Sequence, residues 1–407
     1  MHDRTRGPNT WQGAIWELAS FERPSASEGE RRAAETIAAH LRDRGLEPIV
    51  EPETARGGYW WPLTLANLLA VGGALAARRG GIGARALGTL AGAFGAAAVW
   101  DEVSGGSLWF RRAVMPQRTT WNVVAPAGDP SARRTVVLIA HHDAAHSGLV
   151  FHPALPRAAA RLAPRLHERA SHTLPILYAV WLGPVLVCAG ALIGARRLLR
   201  VGALLALGAC GVLSNIGFSS VVPGANDNLS AVGVLLAVAD DLSRRSLDGV
   251  RVLLVSTGSE ESLMEGMRGF ARRHFPELDP AETEVVCLEC VGSPTLVVLE
   301  GEGMLRMRDY PTQMREAISG AARAAAVPIK RGMRTVASTD ALIALRAGYR
   351  VGTLASVDYT KFPLNYHWPT DTPDVLHWET IEDAIKVCIE FLHARAARGT
   401  LSTGGNG

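Results

Sequence analysis

The sequence predicts an α/β fold with a mixed, largely parallel sheet and helices on both faces, interrupted by two transmembrane helical hairpins. Two observations predict it. Short β-branched runs alternate with amphipathic helical patterns, which is typical of a sheet covered by helices. Long uncharged runs break this alternation in two places. With 407 residues, 48% hydrophobic and 20% charged, the chain is too apolar for a disordered protein and long enough for a large domain.

Residues 1–56 are expected to form the first part of the α/β domain. An amphipathic helical pattern begins at Gly29, Gly45 ends it, and the strand-like segment 46–50 follows. The segment is charged and lacks a short apolar core with a cleavage site, so we expect no signal peptide.

Four uncharged runs predict the two hairpins, which we assign to residues 57–102 and 173–222. The runs are residues 57–77, 86–100, 173–195 and 201–226. Arginines separate the runs of each pair: Arg78, Arg79, Arg85, Arg196, Arg197 and Arg200. About 20 helical residues cross a hydrocarbon layer of about 30 Å, so three runs are long enough and the 15-residue run 86–100 is marginal. The alternative is a set of buried helices in a soluble enzyme.

The expected location is the cytoplasmic membrane, with several spans. Aromatic residues near the run ends resemble an interfacial belt: Trp60, Trp61, Trp100, Tyr178 and Trp181. The arginine-bearing tips favour a cytoplasmic position for the tips and an external active site. The segment 153–172 is also rich in arginine and is expected to lie on the membrane surface, which favours the opposite orientation, so the face stays open.

The rest of the α/β domain is predicted in two pieces, residues 103–172 and 223–398, followed by a flexible tail, 399–407. Strands are predicted at 121–124, 135–140, 250–255 and 285–288. Helices are predicted at 231–243, 266–274, 314–326 and 380–396. The net charge of +3 and the absence of a nucleic-acid-reading motif predict no nucleic-acid partner, and the oligomeric state is left open.

Polar residues follow the predicted strands, where loops at the carboxyl ends can present them to a crevice. The relevant positions are His141-His142-Asp143, Pro223-Gly-Ala-Asn-Asp-Asn228 with Asp227, Glu260-Glu261, Glu289 and His367. Singly, they would be an incidental loop, a helix cap or a solvated face. Together they supply two imidazoles and three carboxylates that suit zinc: His141, Asp227, Glu261, Glu289 and His367.

The number of these groups is sufficient for two ions. If Asp227 bridges the ions, His141 and Glu289 can complete one site while Glu261 and His367 complete the other. Glu260 is then left to accept a proton from water.

The order of these motifs closely resembles the co-catalytic zinc exopeptidases of the bacterial leucyl aminopeptidase and glutamate carboxypeptidase type. The matching stretches are Ala140–Asp143, Pro223–Asn228, Ser259–Glu261, Leu288–Gly292 and Tyr366–Asp371. The resemblance covers roughly residues 10–56, 103–150 and 219–398. It implies a zinc-exopeptidase, phosphorylase/hydrolase-like fold, a peptide substrate and two Zn²⁺ ions.

By this resemblance, five residues become metal ligands: His141, Asp227, Glu261, Glu289 and His367. Glu260 becomes the general base, and Asp143 would orient His141. Two departures from the family stand out. Glu289 occupies a position where the family's aminopeptidases usually carry Asp and carboxypeptidase-like members carry Glu. The long interval between Asp143 and Asp227, a short loop in the family, is filled by the second hairpin.

Three functions follow as hypotheses. The first is a membrane-anchored dizinc exopeptidase, most consistent with an aminopeptidase. The second is a carboxypeptidase or another amide-processing relative, and the third is an inactive membrane module with the same fold.

Other polar residues keep two interpretations. His142 and His146 are loop or substrate-contacting histidines, Asp340 and Asp371 support the metal centre or cap helices, and Tyr366 packs or hydrogen-bonds an intermediate.

Overall fold

The computed structural model describes residues 10–173, 178–245 and 247–403, with side chains as far as residue 397. Within these residues, nine strands form one sheet. The strands are β1 (Ile49–Ala55), β2 (Arg118–Gly128), β3 (Thr135–His141), β4 (Arg251–Thr257), β5 (Thr283–Glu289), β6 (Thr295–Glu302), β7 (Arg308–Asp309), β8 (Lys330–Thr335) and β9 (Arg350–Val357). The spatial order is β1-β2-β4-β3-β5-β9-β6-β7, and β8 also pairs with β6.

The sheet is parallel at its centre and antiparallel on both flanks. β4, β3, β5 and β9 run parallel to one another, whereas β2 joins β4 and β6 joins β9 in antiparallel pairs. The predicted mixed sheet is therefore confirmed, and besides the four central strands β8 also runs parallel to β6. Because the four central strands share one direction, their carboxyl ends meet at one edge of the sheet.

The described helices follow the predicted α/β alternation. They are α1 (Trp11–Ala19), α2 (Glu28–Asp43), α3 (Trp60–Ala77), α4 (Ile82–Val103), α5 (Trp109–Val114), α6 (Ala154–Leu162), α7 (Pro164–Arg169), α8 (Tyr178–Ile193), α9 (Arg196–Phe218), α10 (Ser230–Arg244), α11 (Glu265–His274), α12 (Thr312–Ala324), α13 (Ala341–Arg346) and α14 (Trp378–Thr403).

Helices cover both faces of the central sheet, as alternate residues of β3 show. Val136 and Leu138 pack into a core built with α1, α2, α10, α12 and α14. Val137 and Ile139 pack into a second core with α11, α13 and the ends of the hairpin helices. A strand buried on both faces reads as a continuous apolar run, which is why the sequence identified β3 readily.

The four strands β6 to β9 are absent from the strands predicted by sequence, although β9 lies in the parallel centre. Gly352 interrupts the β-branched run of β9. A Cβ atom at Gly352 would lie 2.6 Å from Ile318 Cδ1 of α12, so glycine lets this helix pack closely without a shift of the Ile318 side chain. Tertiary packing therefore overrides local strand propensity here.

The two predicted hairpins pack together as a four-helix bundle. α3 packs on α4, α8 packs on α9, and the hairpins meet through α4 with α8 and α3 with α9. Small residues permit the close approach, since a Cβ at Gly92 would lie 2.4 Å from the Cys188 nitrogen and one at Gly183 would lie 2.7 Å from the Ala206 nitrogen. This packing is typical of helices that associate in membranes.

Three helices of the bundle, α3, α4 and α9, are long and apolar enough to cross a membrane by length and composition, whereas the described part of α8 is shorter. α4 has 22 residues because the helix continues beyond the marginal apolar run, through Arg85 at one end and Glu102 at the other. α9 ends at Phe218, so the remaining apolar residues before Asp227 form an extended approach to the sheet. The outward faces of the helices expose apolar side chains, including Leu68, Leu75, Leu90, Leu192, Leu204 and Leu207.

The end of the first hairpin is fixed to the α/β domain by a buried arginine. Arg111 of α5 is fully buried and donates hydrogen bonds to the Glu102 carboxylate of α4 and to the Ser262 carbonyl oxygen. Its guanidinium also lies 3.3 Å from Glu265 Oε2. The hairpin is thus joined to the loop that follows β4.

The arginine-rich segment after residue 152 forms α6 and α7 and contacts the α/β domain. His167 Nε2 donates to the Tyr359 carbonyl at 3.0 Å, and Lys361 Nζ donates to the Ala170 carbonyl at 2.7 Å. Its location on a membrane surface stays a prediction.

Candidate metal centre

The central strands bring the predicted site residues to one edge of the sheet. His141 is the last residue of β3, and Glu289 is the last residue of β5. Glu260 and Glu261 follow β4, whose final residue, Thr257, pairs with His141. The carboxyl ends of parallel strands therefore supply four of the predicted groups.

The structure brings the five predicted ligands together, with Asp227 at the centre of the other four. Asp227 Oδ1 lies 3.2 Å from His141 Nε2, and Asp227 Oδ2 lies 3.1 Å from His367 Nε2. His141 Nε2 lies 3.6 Å from Glu289 Oε1, and His367 Nε2 lies 3.1 Å from Glu261 Oε2. The two oxygens of Asp227 thus face two different pairs, each with one histidine and one glutamate.

Several inward-facing atoms of this cluster suit a cation. Within the described part of the chain, the following buried atoms have no hydrogen-bond partner: His141 Nε2, Asp227 Oδ2, Glu261 Oε1 and Glu289 Oε2. His141, Asp227 and Glu261 can each direct one donor atom into a space less than 4.8 Å across. Imidazole nitrogen and carboxylate oxygen are zinc ligands, so the donor set fits this metal.

The charges of the cluster are strongly coupled. Burial lowers the pKa of His141, but the adjacent carboxylates of Asp143 and Asp227 outweigh it and hold that pKa well above its usual value. His367 follows the same pattern, with a pKa of about 10 because Glu261 and Asp227 outweigh burial. Burial conversely raises the pKa of Glu261 to about 7, against the opposing effect of His367. Bound protons offset the negative charge of the clustered carboxylates, and metal binding would release these protons.

Glu260 lies beside the cluster and faces the cavity above it. Its Oε2 is 3.9 Å from His141 Nε2, and its side chain is 11% exposed. Burial raises the pKa of Glu260 well above its usual range; His141 opposes this shift, and Glu289 adds to it. A carboxylate in this environment is suited to accepting and returning a proton near neutral pH.

Residues 213–392 match the model of peptidase family M28. The chain carries an M28 peptidase domain. The match extends from α9 into α14 and includes Asp227, Glu260, Glu261, Glu289 and His367, whereas His141 precedes it. The predicted co-catalytic zinc exopeptidase family and the predicted metallopeptidase class are confirmed. Among curated proteins, no sequence match was found.

Solved structures share the fold of the M28 domain at low sequence identity. A glutaminyl cyclase from Bacteroides thetaiotaomicron has a TM-score of 0.55 at 13% identity, with 95% of this chain and 97% of that chain covered. A leucine aminopeptidase precursor from the same organism has a TM-score of 0.54, with the same identity and coverage. A zinc aminopeptidase from Bacillus subtilis has a TM-score of 0.51 at 13% identity, with 97% and 96% covered. These similarities establish the fold.

Asp143 connects both sides of the site in the M28 domain. Its Oδ1 lies 3.3 Å from His141 Nδ1 and accepts the backbone N–H of Glu260 at 3.0 Å. Its Oδ2 accepts the N–H of Glu261 at 3.1 Å and the Ser25 hydroxyl at 2.6 Å. Asp143 is a positioning residue, since it fixes the His141 ring and the peptide groups of the two glutamates.

Replacement of Asp143 by Asn is expected to weaken metal binding by about 10–100-fold, because the partner of the His141 ring loses its charge. The measurement is a zinc titration of the metal-free protein against a competing chelator. Asp129→Asn, in an exposed turn that makes only local hydrogen bonds and one to Gly249, is the matched control. Equal zinc affinity of Asp143→Asn and wild type would contradict the assigned role.

The asparagines on either side of Asp227 join its loop to the end of β5. Asn226 Oδ1 accepts the Gly292 N–H at 2.8 Å, and Asn228 Oδ1 accepts the Cys290 N–H at 2.9 Å. Asn228 Nδ2 also donates to the Leu288 carbonyl at 2.9 Å. The Asn-Asp-Asn sequence therefore fixes Asp227 relative to Glu289.

Asp371 and Asp340, for which the sequence left two interpretations, both support the site. Asp371 accepts the backbone N–H groups of Asn226 and Asp227 at 2.8 and 3.1 Å. Asp340 precedes α13 without capping it through its side chain and instead accepts the Thr257 hydroxyl beside His141. Both carboxyl groups are buried.

Arg23 and Glu30 also organise the site, and sequence reasoning missed both. Arg23 is fully buried and donates to the carbonyls of His142, Pro223 and Gly224, thereby joining the two loops that carry His141 and Asp227. A lone arginine in a loop carries no sequence signal for this role.

Glu30 acts on the loop after β4. Its carboxylate accepts the Ser259 N–H and hydroxyl and, within a capping arrangement at Ser27, the Ala26 N–H. Burial raises the pKa of Glu30 to about 8. The sequence Ser27-x-x-Glu30 is a capping-box signature. It explains Glu30 as part of a helix cap, and so gives no indication of the contact with Ser259.

The remaining candidates are structural. His142 is buried with its Nδ1 2.9 Å from Ser256 Oγ, and burial lowers its pKa to about 3. His146 donates to the Ser219 carbonyl and stacks near Trp60. Tyr366 stacks on His367 with a centroid separation of 3.8 Å, which supports packing as its role.

Proposed function

We propose that this chain is a membrane-anchored dizinc aminopeptidase with a peptide substrate. The observation that carries the proposal is the position of Asp227, whose two oxygens face two separate histidine–glutamate pairs. A bridging carboxylate with one pair on each side provides ligands for two ions. The full proposed ligand set is His141, Asp227, Glu261, Glu289 and His367.

The chemistry proposed for this site is amide hydrolysis. When bound, zinc at these ligands would polarise the scissile carbonyl and lower the pKa of a water molecule. Glu260, at the cavity side of His141, accepts the proton of the attacking water and passes it to the leaving amine. Asp143 holds the Glu260 peptide group in place, and the enclosing cavity limits competing solvent.

The cavity lining supports an aminopeptidase over a carboxypeptidase. A carboxypeptidase must bind a terminal carboxylate, usually through arginine or lysine. Among the described residues that line the cavity, none is arginine or lysine, whereas four are acidic: Asp227, Glu260, Glu261 and Glu289. Because three of these acids are proposed zinc ligands and the fourth is the proposed general base, the support for an aminopeptidase comes from the lack of arginine and lysine among the described lining residues. A terminal carboxylate needs such a partner, whereas a free amino terminus does not.

The distribution of side chains along the bundle supports the membrane anchor. The arginines lie at the helix ends far from the M28 domain, as the sequence predicts. The opposite ends carry aromatic contacts, with Trp100 and Trp181 centroids 5.7 Å apart and Trp61 and Phe218 centroids 5.1 Å apart. An apolar surface between an arginine-rich end and an aromatic belt is typical of a transmembrane bundle.

Three peptides of one sequence test which end of the substrate is cleaved. One is unmodified, one is acetylated at its amino terminus, and one is amidated at its carboxyl terminus. The zinc-loaded protein is expected to release the first residue from the unmodified and amidated peptides. Hydrolysis of the acetylated peptide is expected to be at least about 100-fold slower, because the free amino group is required. Products are identified by mass spectrometry. Release of the last residue from the acetylated peptide would instead establish a carboxypeptidase.

A fourth peptide, with glutamine at its amino terminus, examines the activity in the name of one structural relative, a glutaminyl cyclase. Hydrolysis adds the elements of water and releases an amino acid, whereas cyclisation releases ammonia and shortens no peptide. Ammonia release without a shortened peptide would replace the aminopeptidase proposal with a cyclase.

A further inference from the structure

A large cavity lies above the proposed metal centre. It has a volume of about 1360 Å³ when the open solvent at its mouth is included. The carboxylates and His367 line it together with many uncharged side chains.

The hairpin helices supply one wall of the cavity. Val180 belongs to α8, and Val212, Leu213 and Ile216 belong to α9. Leu213 and Ile216, near the end of α9, are buried. The second hairpin is therefore part of the site, in addition to being an anchor.

The opposite wall is also apolar. Leu299 of β6 and Met333 of β8 line it, together with Met304. Methionine side chains are flexible and adapt to apolar ligands of varied shape. Among the described lining residues, charge is confined to the metal-centre end, so the rest of the cavity favours apolar groups.

The apolar wall continues onto the outer surface of the bundle. Val212 lines the cavity and is 39% exposed, and Leu204 and Leu207 are exposed further along α9. Val212 precedes the end of α9 at Phe218 by six residues, or about 9 Å of helix. The cavity therefore extends alongside the part of α9 that we place in the membrane.

From these features we propose that the substrates are peptides whose amino-terminal segment is apolar and dissolved in the bilayer, and that this segment reaches the metal centre along α9. The inference rests on the proposed aminopeptidase function. In the reaction itself water adds across the amide: the C–N bond breaks, a C–O bond forms, and the proton passes through Glu260 to the leaving amine.

The test compares two free-amino peptides that share the first two residues and therefore the scissile bond. In one, the following six residues are leucine and alanine; in the other, they are serine and glycine. The full-length zinc-loaded protein is assayed in lipid nanodiscs. We expect kcat/KM to be at least about 10-fold higher for the apolar peptide, chiefly through a lower KM.

Two variants separate binding in the cavity from simple partitioning into lipid. Val212→Asn alters the wall and is expected to reduce the apolar-to-polar ratio of kcat/KM by at least about threefold. Leu204→Asn, on the same helix but outside the cavity lining, is the matched control and is expected to keep the wild-type ratio. If Val212→Asn fails to fold, Val212→Ser gives the same comparison.

The outcomes distinguish this inference from the proposed function. Hydrolysis of both peptides at equal kcat/KM, or an apolar preference that Val212→Asn leaves unchanged, overturns the inference while the aminopeptidase stands. Faster cleavage of a long-chain N-acyl amide than of either peptide also overturns it, since the occupant is then an acyl chain. Hydrolysis of no free-amino peptide refutes the proposed function itself.

Discussion

Replacement of Glu260 by Gln is expected to slow peptide hydrolysis by about 10²–10⁴-fold, the usual contribution of a general base. Glutamine keeps the shape of the side chain but cannot accept the proton of the attacking water. Glu260 Oε2 lies 3.9 Å from His141 Nε2, farther than the nearest oxygens of Asp227 and Glu289, so the variant should retain the zinc of the wild type.

The measurement pairs a steady-state peptide assay with metal analysis of the same preparation. Glu316→Gln, at a half-exposed side chain that pairs with Arg331, serves as the control because it removes a carboxylate remote from the centre. Activity of Glu260→Gln within about threefold of wild type would refute the assigned role. A loss of zinc together with activity would instead place Glu260 among the ligands.

Replacement of Asp227 by Ala is expected to lower the zinc content from the proposed two ions per chain to one or none and to abolish measurable activity. This residue has the only carboxylate that, among the described residues, contacts both His141 and His367. Its removal leaves each histidine–glutamate pair one ligand short and eliminates the negative charge between them. The pKa of Asp227 lies well below its usual value because the adjacent rings of His141 and His367 outweigh burial.

Zinc stoichiometry is measured after dialysis of zinc-loaded protein, and circular dichroism verifies folding. Asp374→Asn, at an exposed carboxylate in the turn before α14, is the control. Retention of two ions by Asp227→Ala would show that the carboxylate is not shared. Retention of two ions by the control and loss by Asp227→Ala supports the bridging arrangement.

The site was largely predictable because its chemistry lies at strand ends. β3 and β5 are buried runs that end at His141 and Glu289, so a polar residue directly after an apolar run was conspicuous. Asp227 and His367 lie in turns with unusual polar composition. Local sequence therefore contained the donor groups, and the parallel order of the central strands brings them together.

The residues that hold these donors in place were not predictable in the same way. Arg23 connects carbonyl groups more than 100 residues away in the chain, and Glu30 acts on Ser259, 229 positions away. Backbone carbonyls and N–H groups carry no side-chain signature. Such contacts depend on the three-dimensional path of the chain, which a single sequence does not reveal.

The positions of the hairpin helices were predictable from sequence, whereas their contribution to the cavity was not. Uncharged runs located α3 and α4 to within four residues, because apolar length is a local property, whereas the run for α9 extends eight residues beyond its end at Phe218. The contribution of Val212 and Ile216 to the cavity wall depends on how α9 leans against the domain, and no periodicity in the run indicates it. Composition thus predicted helices that could anchor the chain in a membrane, but it did not predict that α9 lines the cavity.

The buried Arg111 has a consequence for the design of a water-soluble version of this enzyme. Excision of the first hairpin removes Glu102, and the guanidinium that also holds the Ser262 carbonyl then loses a charged partner in the protein interior. Glu265 Oε2 remains 3.3 Å from the guanidinium, so the cost is smaller than the about 3–5 kcal/mol expected for a buried charge left without any partner. The Glu260-Glu261 loop is thereby loosened, so a trimmed enzyme needs a compensating replacement at Arg111 as well as a shorter chain.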